Sequence, residues 1–392
     1  MRLAEAAPSN VVLARQQLQI ARYGITQARA GFFPQATLSN AYTYNSPGSS
    51  GDPFSFIALN AVREYQSFFT AGMPIDTSGR VRAELERARA ERDAAGAGLG
   101  IAGRDIKRLV AASYYRLLLA RRLVQVQRDA LTESQSFESR SRLLAQQGEV
   151  AQADVIKASA DVAFLQQTLN ASELEAQLAN HDLASFWTTD VAAPLSIVDV
   201  LDEKPMPPDT ATGATPFLAR LEFRQLDAQR RGFLADMKRA RADLLPQTNV
   251  LFQYGIDSAR PSFADRGYAA FIHFDIPLFD WFRARSAMRQ FRIQSQQVEV
   301  NTRIAERTFS RDYRDALSRV EQIYAQIALT EMQVRFSEDN LRLSRVRYEG
   351  GEGTALDVVT AQNQLAQART NYFTVKANYL NARAELDVAA GR

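Results

Sequence analysis

The chain has 392 residues, and its 47 basic and 44 acidic side chains give a net charge of +3, too small to attract nucleic acid strongly. The absence of cysteine excludes disulfide bonds, a thiol nucleophile and cysteine-based metal sites. No run of about eighteen apolar residues occurs, so no membrane-spanning helix is predicted. The first residues do not have the pattern of a signal peptide, and we expect the protein, if exported, to have lost one.

The first half of the chain predicts a helix, two strands, a long helix and a return helix, in that order. Pro34 ends the first helix, and the segment after it alternates polar and apolar residues as a strand does. Ser78 is the expected N-cap of the long helix. The predicted bounds are 9–30, 35–45, 64–75, 80–147 and 152–186, with a loop at 46–53 and a turn at 147–149.

The second half repeats this plan after a proline-rich linker. Its predicted elements are 216–244, 247–254, 268–276, 282–348 and a last helix that ends near Ala389, with a loop at 256–266 and a turn at 349–353. Three pairs of segments match at one constant offset: 73–75 with 276–278, 148–149 with 351–352, and 154–156 with 357–359. We therefore predict a tandem duplication, with a first repeat at 1–187, a linker at 188–215 and a second repeat at 216–392.

The two long helices carry the pattern of a coiled coil. Each contains no proline and would extend about 100 Å at the rise of an α-helix. Apolar residues recur at seven-residue spacing, at Val110, Leu117, Val124 and Leu131 in the first helix and at Tyr313, Val320, Ile327, Val334 and Leu341 in the second. Such a repeat needs partner helices to cover it, so we expect each long helix to pair with its flanking helices.

The predicted strands have one apolar, aromatic face and one polar face, and the longest spans about 40 Å. In a soluble sheet the apolar face would need a cover of helices, but here the helices are committed to one another. Membrane barrels of a single chain have at least about eight strands, and open sheet edges do not occur in lipid. Three chains would together supply twelve strands. The alternative is a soluble coiled-coil scaffold without channel activity, in which the aromatic side chains form a core.

Several segments of the chain resemble one known family. They are the Ala-Arg-Ala-Gly-Phe-Phe-Pro-Gln segment at 28–35, the strand ends at Pro74 and Pro277, and the two turns at 148–155 and 351–362. In this doubled order they resemble the trimeric outer-membrane efflux proteins of Gram-negative bacteria, the TolC family. The resemblance covers nearly the whole chain.

The resemblance implies an α+β membrane protein and a homotrimer. Its twelve-stranded β-barrel, four strands per chain, would lie in the cell outer membrane and continue as a twelve-helix coiled-coil tunnel in the periplasm. The chain would be the exit duct of a tripartite efflux or type I secretion system. Its partners would be a periplasmic adaptor (membrane fusion protein), an inner-membrane pump and outer-membrane lipid. Transport would be passive, without catalytic residues, metal or cofactor, and His181 and His273 have no partner at ligand or triad spacing.

Two aspartates are candidates for a periplasmic gate. Asp154 and Asp357 follow the two helical turns, and in a trimer each would form a ring of three carboxylates, which favours cations. The resemblance places the gate at Asp357, and Thr360 stands where well-known members of the family have a second aspartate. The alternative is that both acids stabilise the first turns of their helices, since Thr354 and Asp357 have the spacing of a capping box.

Three further groups of residues complete the predicted sites. Five arginines flank the turns and would either pair with acids across helices, holding the entrance shut, or lie on solvated helix faces: Arg140, Arg142, Arg342, Arg345 and Arg347. The resemblance places adaptor docking at the turns, at Gly148, Glu149, Gly351 and Glu352. The aromatic residues predicted at the membrane interfaces are Tyr42, Tyr44, Tyr65, Phe252, Tyr254, Tyr268 and Trp281.

Overall fold

A computed structural model describes residues 2–44, 63–208 and 215–392. The elements in chain order are α1 (Arg2–Ala6), α2 (Asn10–Ala30), β1 (Gln35–Tyr44), β2 (Arg63–Ile75), α3 (Arg80–Gln147), α4 (Gln152–Ala184), α5 (Leu221–Ala242), β3 (Gln247–Ser258), β4 (Arg266–Asp275), α6 (Arg283–Glu349) and α7 (Ala355–Ala389). The order helix, strand, strand, long helix, helix therefore occurs twice. Asn45, the predicted loop at 46–53 and residues 209–214 of the predicted linker lie outside the described residues.

The predicted order of elements is confirmed, and so are the bounds of the first long helix. Two other predictions of bounds were wrong. β3 continues to Ser258, into the loop predicted at 256–266, because its last residues pair with β2 and β4. The helix predicted at 216–244 is interrupted at Arg220, which has an extended backbone and places its guanidinium 3.9 Å from the centre of the Phe309 ring.

One compact unit comprises the beginning of the chain, Leu99–Leu221 and Ala305–Arg392. Its core follows the seams that the seven-residue spacing predicts. The buried seam residues are Val110, Leu117 and Leu131 in α3, and Tyr313, Val320, Ile327 and Leu341 in α6. The return helices supply the facing side chains, as Leu183 of α4 does beside Leu117 and Tyr379 of α7 beside Val320. The coiled-coil prediction is confirmed for these residues.

Residues 188–208, here named the connecting segment, contain no helix or strand but are packed in this unit. The Asn180 side chain donates to the carbonyl oxygens of Val191 and Ala193 at 3.2 and 2.9 Å, and it accepts from the Leu195 N–H at 3.1 Å. Leu201 is completely buried. Side chains of the helices therefore provide the hydrogen bonds that regular structure would otherwise provide.

A second compact unit comprises Arg15–Gly98 and Glu222–Ile304 and contains one antiparallel sheet in the order β1-β2-β3-β4. Residues directly opposite one another lie on the same face. Leu38 pairs with Phe69, Phe69 with Tyr254, and Tyr254 with Tyr268, so an apolar row crosses all four strands. Leu38 is 68% exposed and Tyr268 is 79% exposed, and no helix in the described part of the chain packs extensively on the sheet.

The opposite face of the sheet is less polar than the sequence predicts. Thr37, Thr70 and Gln253 lie on it as expected. The same parity places Phe68, Leu251 and Phe271 on this face as well. Successive residues of a strand point to opposite faces. Where the sequence does not strictly alternate polar and apolar residues, apolar side chains therefore lie on the polar face.

The first turn of α3 is capped by Asp76 and not by Ser78, so the predicted N-cap was wrong. The Asp76 carboxylate accepts from the N–H groups of Val81 and Arg82 at 3.0 and 3.1 Å. Ser78 instead donates to the Gln247 side chain at 3.1 Å. Gly79, with φ of +78°, turns the chain so that Asp76 lies beneath the helix. Within the described residues, none of the helices combines the length and the apolar character needed to cross a bilayer.

Asn180→Ala tests the role of the connecting segment. The substitution removes the three hydrogen bonds to this segment and a fourth that Asn180 accepts from Arg121 at 3.4 Å, and it leaves backbone groups without partners, at an expected cost of about 1–3 kcal/mol. Asn170→Ala, at an exposed position of the same helix, should change stability by less than about 0.5 kcal/mol. Hydrogen exchange of peptides from 188–208 should accelerate only in Asn180→Ala. Equal exchange in both variants would show that Asn180 does not hold this segment.

Candidate functional site

The turns after α3 and α6 have the same geometry. At the first, the Gly148 N–H bonds to the Ala145 carbonyl at 3.1 Å and the Glu149 N–H to the Leu144 carbonyl at 3.0 Å. At the second, the N–H groups of Gly351 and Glu352 bond to the carbonyls of Tyr348 and Arg347 at 3.1 and 2.9 Å. This pattern is the Schellman motif, which needs a left-handed residue after the helix. Gly148 and Gly351 have φ of +79° and +74°, so the turns predicted at 147–149 and 349–353 are confirmed.

Asp357 caps the last helix. Its carboxylate accepts from the Thr354 N–H at 2.9 Å and from the Thr354 hydroxyl at 2.8 Å, and the Asp357 N–H returns a bond to Thr354 Oγ1. The predicted capping box is thus confirmed. The Thr354 backbone N–H, followed by its hydroxyl, holds the pKa of the exposed Asp357 carboxyl below its ordinary value, and the positive charges of Arg347 and Lys157 add to this effect.

Asp154 and Thr360 have fewer interactions than Asp357. Asp154 is half-buried in the first turn of α4, where Ala151 is the N-cap and provides no side-chain bond. Thr360 is exposed in α7, near the Asp357 cap. The starts of α4 and α7 are close together, because Ala158 of α4 and Val358 of α7 share one apolar cluster.

Two of the predicted arginines link α3 to α6, but through glutamates and not through the aspartates. Arg345 lies 3.3 Å from Glu133, and Arg140 pairs with Glu349. Beneath them the rings of Phe137 and Tyr348 meet at 5.1 Å, and the Tyr348 hydroxyl contacts the buried Ser141. The other predicted arginines divide differently: Arg142 pairs with Glu138 and Arg342 with Asp339 on their own helices, while Arg347 acts on Asp357 only through its charge.

A buried polar bridge near the turns was missed by the sequence analysis. Asp161 of α4 accepts from Ser134 of α3 at 2.8 Å and from Asn363 of α7 at 2.9 Å. It lies in line with the buried residues Val155, Ala158, Leu165 and Leu169. A carboxylate within an apolar heptad stripe was therefore the signal that could have found it.

The aromatic residues predicted at membrane interfaces all lie in the second unit, and most are exposed. Tyr42 meets Tyr65 at a ring distance of 4.9 Å, and Phe252 stacks on Tyr268 at 6.4 Å. Tyr44 and Tyr254 are exposed on the same sheet, and Tyr65 is half-buried. Trp281 is 83% exposed in the segment that joins β4 to α6.

Neither histidine belongs to a group that resembles a catalytic or metal site. His181 is half-buried near the end of α4, and His273 is exposed beside the Phe271 ring. Across residues 2–44, 63–208 and 215–392, no three or more histidine, aspartate or glutamate side chains are grouped so that they could hold a metal ion.

Gly351→Ala tests the turn geometry. A left-handed backbone is unfavourable for alanine, so we expect a cost of about 1–2 kcal/mol. Gly103→Ala is the matched control, because Gly103 lies inside α3 with open space around it and no positive φ. That change should stabilise the helix by about 0.5–1 kcal/mol. The measurement is hydrogen exchange of residues 345–360, and unchanged exchange in Gly351→Ala would contradict the assigned turn geometry.

Comparison with known proteins places this fold among outer-membrane channels. The structure of the outer membrane protein VceC from Vibrio cholerae has a TM-score of 0.86 at 18% identity, and the match covers 100% of this chain and 94% of that one. The open state of the Neisseria gonorrhoeae MtrE outer membrane channel has a TM-score of 0.86 at 19% identity, over 100% and 87% of the two chains. Nodulation protein T of Rhizobium leguminosarum bv. viciae is 22% identical over 391 residues, which are 97% of this chain and 78% of that protein.

The family assignment is based on the sequence. The family model described as outer membrane efflux protein matches residues 3–188 and 218–392, which is nearly the whole chain. Both repeats of the element order lie within the matched ranges. The chain therefore belongs to the outer membrane efflux protein family, whose members are transport channels and not enzymes.

Proposed function

We propose that three copies of this chain form a passive exit duct of a tripartite efflux or type I secretion system. The observation that carries the proposal is the four-stranded sheet with an exposed apolar face and two unpaired edge strands, β1 and β4. A membrane tolerates such a sheet only when its edges are closed. Closure of β4 on the β1 of a neighbouring chain, repeated three times, gives a barrel of twelve strands in the outer membrane.

The helices would continue this barrel as a tunnel in the periplasm. Each chain supplies four helical columns: two are the long helices, and each of the other two consists of the shorter helices that flank a long helix. Three chains therefore supply twelve columns. The repeat boundaries 1–187 and 216–392, with the linker 188–215, are part of this proposal. The seams inside the first unit are already filled by α4 and α7, which leaves the outer faces of the helices for neighbouring chains.

The proposed partners are a periplasmic adaptor and an inner-membrane pump, which would supply the energy that a passive channel lacks. The two Schellman turns present Glu149 and Glu352 at exposed positions, where an adaptor would dock. Arg345 with Glu133 and Arg140 with Glu349 fix α6 to α3 next to these turns. A movement that opened the entrance would have to carry these two helices together or break both ion pairs.

The proposed gate is a ring of three Asp357 side chains, with Asp154 as a second carboxylate nearby. The capping box fixes Asp357 at the start of α7, and the Thr354 contacts lower the pKa of its carboxyl, which opposes the repulsion that three such carboxylates would exert on one another. Thr360 would give a neutral hydroxyl position beside it. A ring of carboxylates selects for cations.

Cross-linking of the edge strands tests the trimer. Since these 392 residues contain no cysteine, introduced pairs are their sole thiols. Thr37→Cys in β1, combined in turn with Ala269→Cys, Phe271→Cys or His273→Cys in β4, should give covalent trimers after oxidation in detergent. The control is Thr70→Cys with Gln253→Cys, which are paired within one chain and should give monomers. If every edge pair also gives monomers, the proposed barrel is wrong.

Conductance in a planar bilayer tests the gate. Asp357→Asn should lower the preference of the channel for cations, whereas Asp339→Asn, an exposed acid of α6 paired with Arg342, should not. Because the Thr354 contacts lower the pKa of Asp357, the difference from wild type should be present at neutral pH and should disappear as the pH falls and the carboxylate is protonated. A difference that already vanishes near neutral pH would contradict the assigned ionisation state.

A further inference from the structure

The segment between β4 and α6 has an unusual backbone. Trp281 and Phe282 have φ of +54° and +63°, the left-handed region that bulky residues avoid. The Asp280 carboxylate holds this turn, accepting from the N–H groups of Phe282 and Ala284 at 3.0 and 2.8 Å. Such conformations persist where the surrounding structure enforces them, and they cluster at functional positions.

At the corresponding position of the other half, a single glycine takes the left-handed conformation without strain. Gly79 precedes α3 as Phe282 precedes α6, and its φ of +78° costs glycine nothing. Asp76 caps α3 as Asp280 caps α6. The turn itself therefore does not require aromatic residues. Trp281 and Phe282 contact the exposed Phe279 ring at 4.7 and 6.3 Å but remain exposed to 83% and 59%, so burial within the chain does not account for their unfavourable backbone conformation.

Unpaired arginines follow this aromatic turn directly. Arg283, Arg285 and Arg289 are exposed, and none of them forms an ion pair with the described residues. The nearest acid before them, Asp280, is bonded to backbone N–H groups, and the next one along the helix is Glu299. The start of α3 differs, because there Arg80, Arg82 and Arg87 pair with Asp243, Asp76 and Asp236.

We propose that the aromatic turn Leu278–Phe282 and the arginines Arg283, Arg285 and Arg289 bind anionic phospholipid headgroups at the periplasmic surface of the membrane, an inference that depends on the proposed barrel. Leu278 is 92% exposed and continues the apolar face of β4. Tryptophan side chains are enriched at the membrane–water interface, at the depth of the lipid headgroups. Guanidinium groups bind phosphate through two parallel hydrogen bonds, and the basic charge of the patch selects an anionic lipid.

The positions of the arginines fit a headgroup layer. Arg285 and Arg289 follow Phe282 by about 5 and 11 Å along the helix. Their side chains lean toward the helix N-terminus, which is the direction of the sheet. The Arg285 guanidinium lies 5.8 Å from the centre of the Phe282 ring, so charge and aromatic anchor form one surface.

Neighbouring chains would not neutralise this patch. In the proposed barrel β4 pairs with the β1 of the next chain, which brings α6 beside the α2 that precedes that β1. The sequence of α2 contains no aspartate or glutamate, so it offers the arginines no carboxylate. In this chain the exposed Asp275 lies on the polar face of the sheet with Gln253, so on the apolar side membrane phosphates are the anions that the arginines would meet.

Tryptophan fluorescence of the full-length trimer in vesicles tests the proposal. The chain has two tryptophans, and Trp187→Phe leaves Trp281 as the probe. In vesicles of phosphatidylcholine and phosphatidylglycerol, Trp281 should be quenched more strongly when the brominated chains are on phosphatidylglycerol than when they are on phosphatidylcholine. Arg285→Gln with Arg289→Gln should reduce this preference about fivefold for each arginine removed. The matched control is Arg303→Gln with Arg307→Gln, exposed arginines of the same face and spacing but about 30 Å further along α6.

Each outcome decides the question. Loss of the preference in the first double variant alone supports the lipid site. Equal preference in both double variants, in a protein that still inserts and conducts, overturns the site but leaves the channel. Loss of the preference on adding inorganic phosphate would make the arginines a free-anion site and overturn the lipid proposal. Failure of Trp281 to be quenched by either lipid would overturn the barrel and this inference together. Phe282→Gly should keep the left-handed backbone but weaken the quenching, since Gly79 takes this conformation before α3.

Discussion

The apolar seams of the two long helices constrain everything else in this chain. Leu117 and Val320 are completely buried against α4 and α7, so the seven-residue seams are covered within the chain. The sheet has no such cover among the described residues, and its apolar row from Leu38 across to Tyr268 is exposed. A soluble protein of this size would bury such a row, and an outer-membrane channel instead places it against lipid.

At the helical turns, the Asp357 carboxylate caps α7 and is also the proposed gate residue. Asp357 is oriented by Thr354, so any ring of these side chains would inherit its geometry from a helix cap. Asp161 lies deeper and joins α3, α4 and α7 through neutral donors. The region around the turns is therefore cross-linked by polar contacts whose partners come from different helices, and this fixes how the four helices meet.

The sequence analysis predicted those features correctly that depend on the spacing of apolar residues or on the backbone freedom of glycine. Seven-residue spacing located Leu117 and Val320, and the glycines located both turns. Its predictions were wrong where a residue distant in sequence determines a helix cap or the end of a strand. Ser78 does not cap α3 because Gln247 of β3 binds it, and β3 passes its predicted end because β2 offers backbone partners as far as Ser258. The sequence analysis did not assign a glycine-like backbone to Phe282, although the constant offset of the repeat aligns Phe282 with Gly79.

The open edges of the sheet also bear on how the protein is made. A free chain would display β1 and β4 with unpaired backbone groups, a template for unwanted pairing with any extended segment nearby. In the proposed trimer those groups are satisfied only after three chains have met, so the yield of the folded protein would rise steeply with its local concentration. Each newly exported chain would then either close productively with two others or aggregate, and the balance would favour cells that shield the strand edges of the monomer until two further chains are at hand.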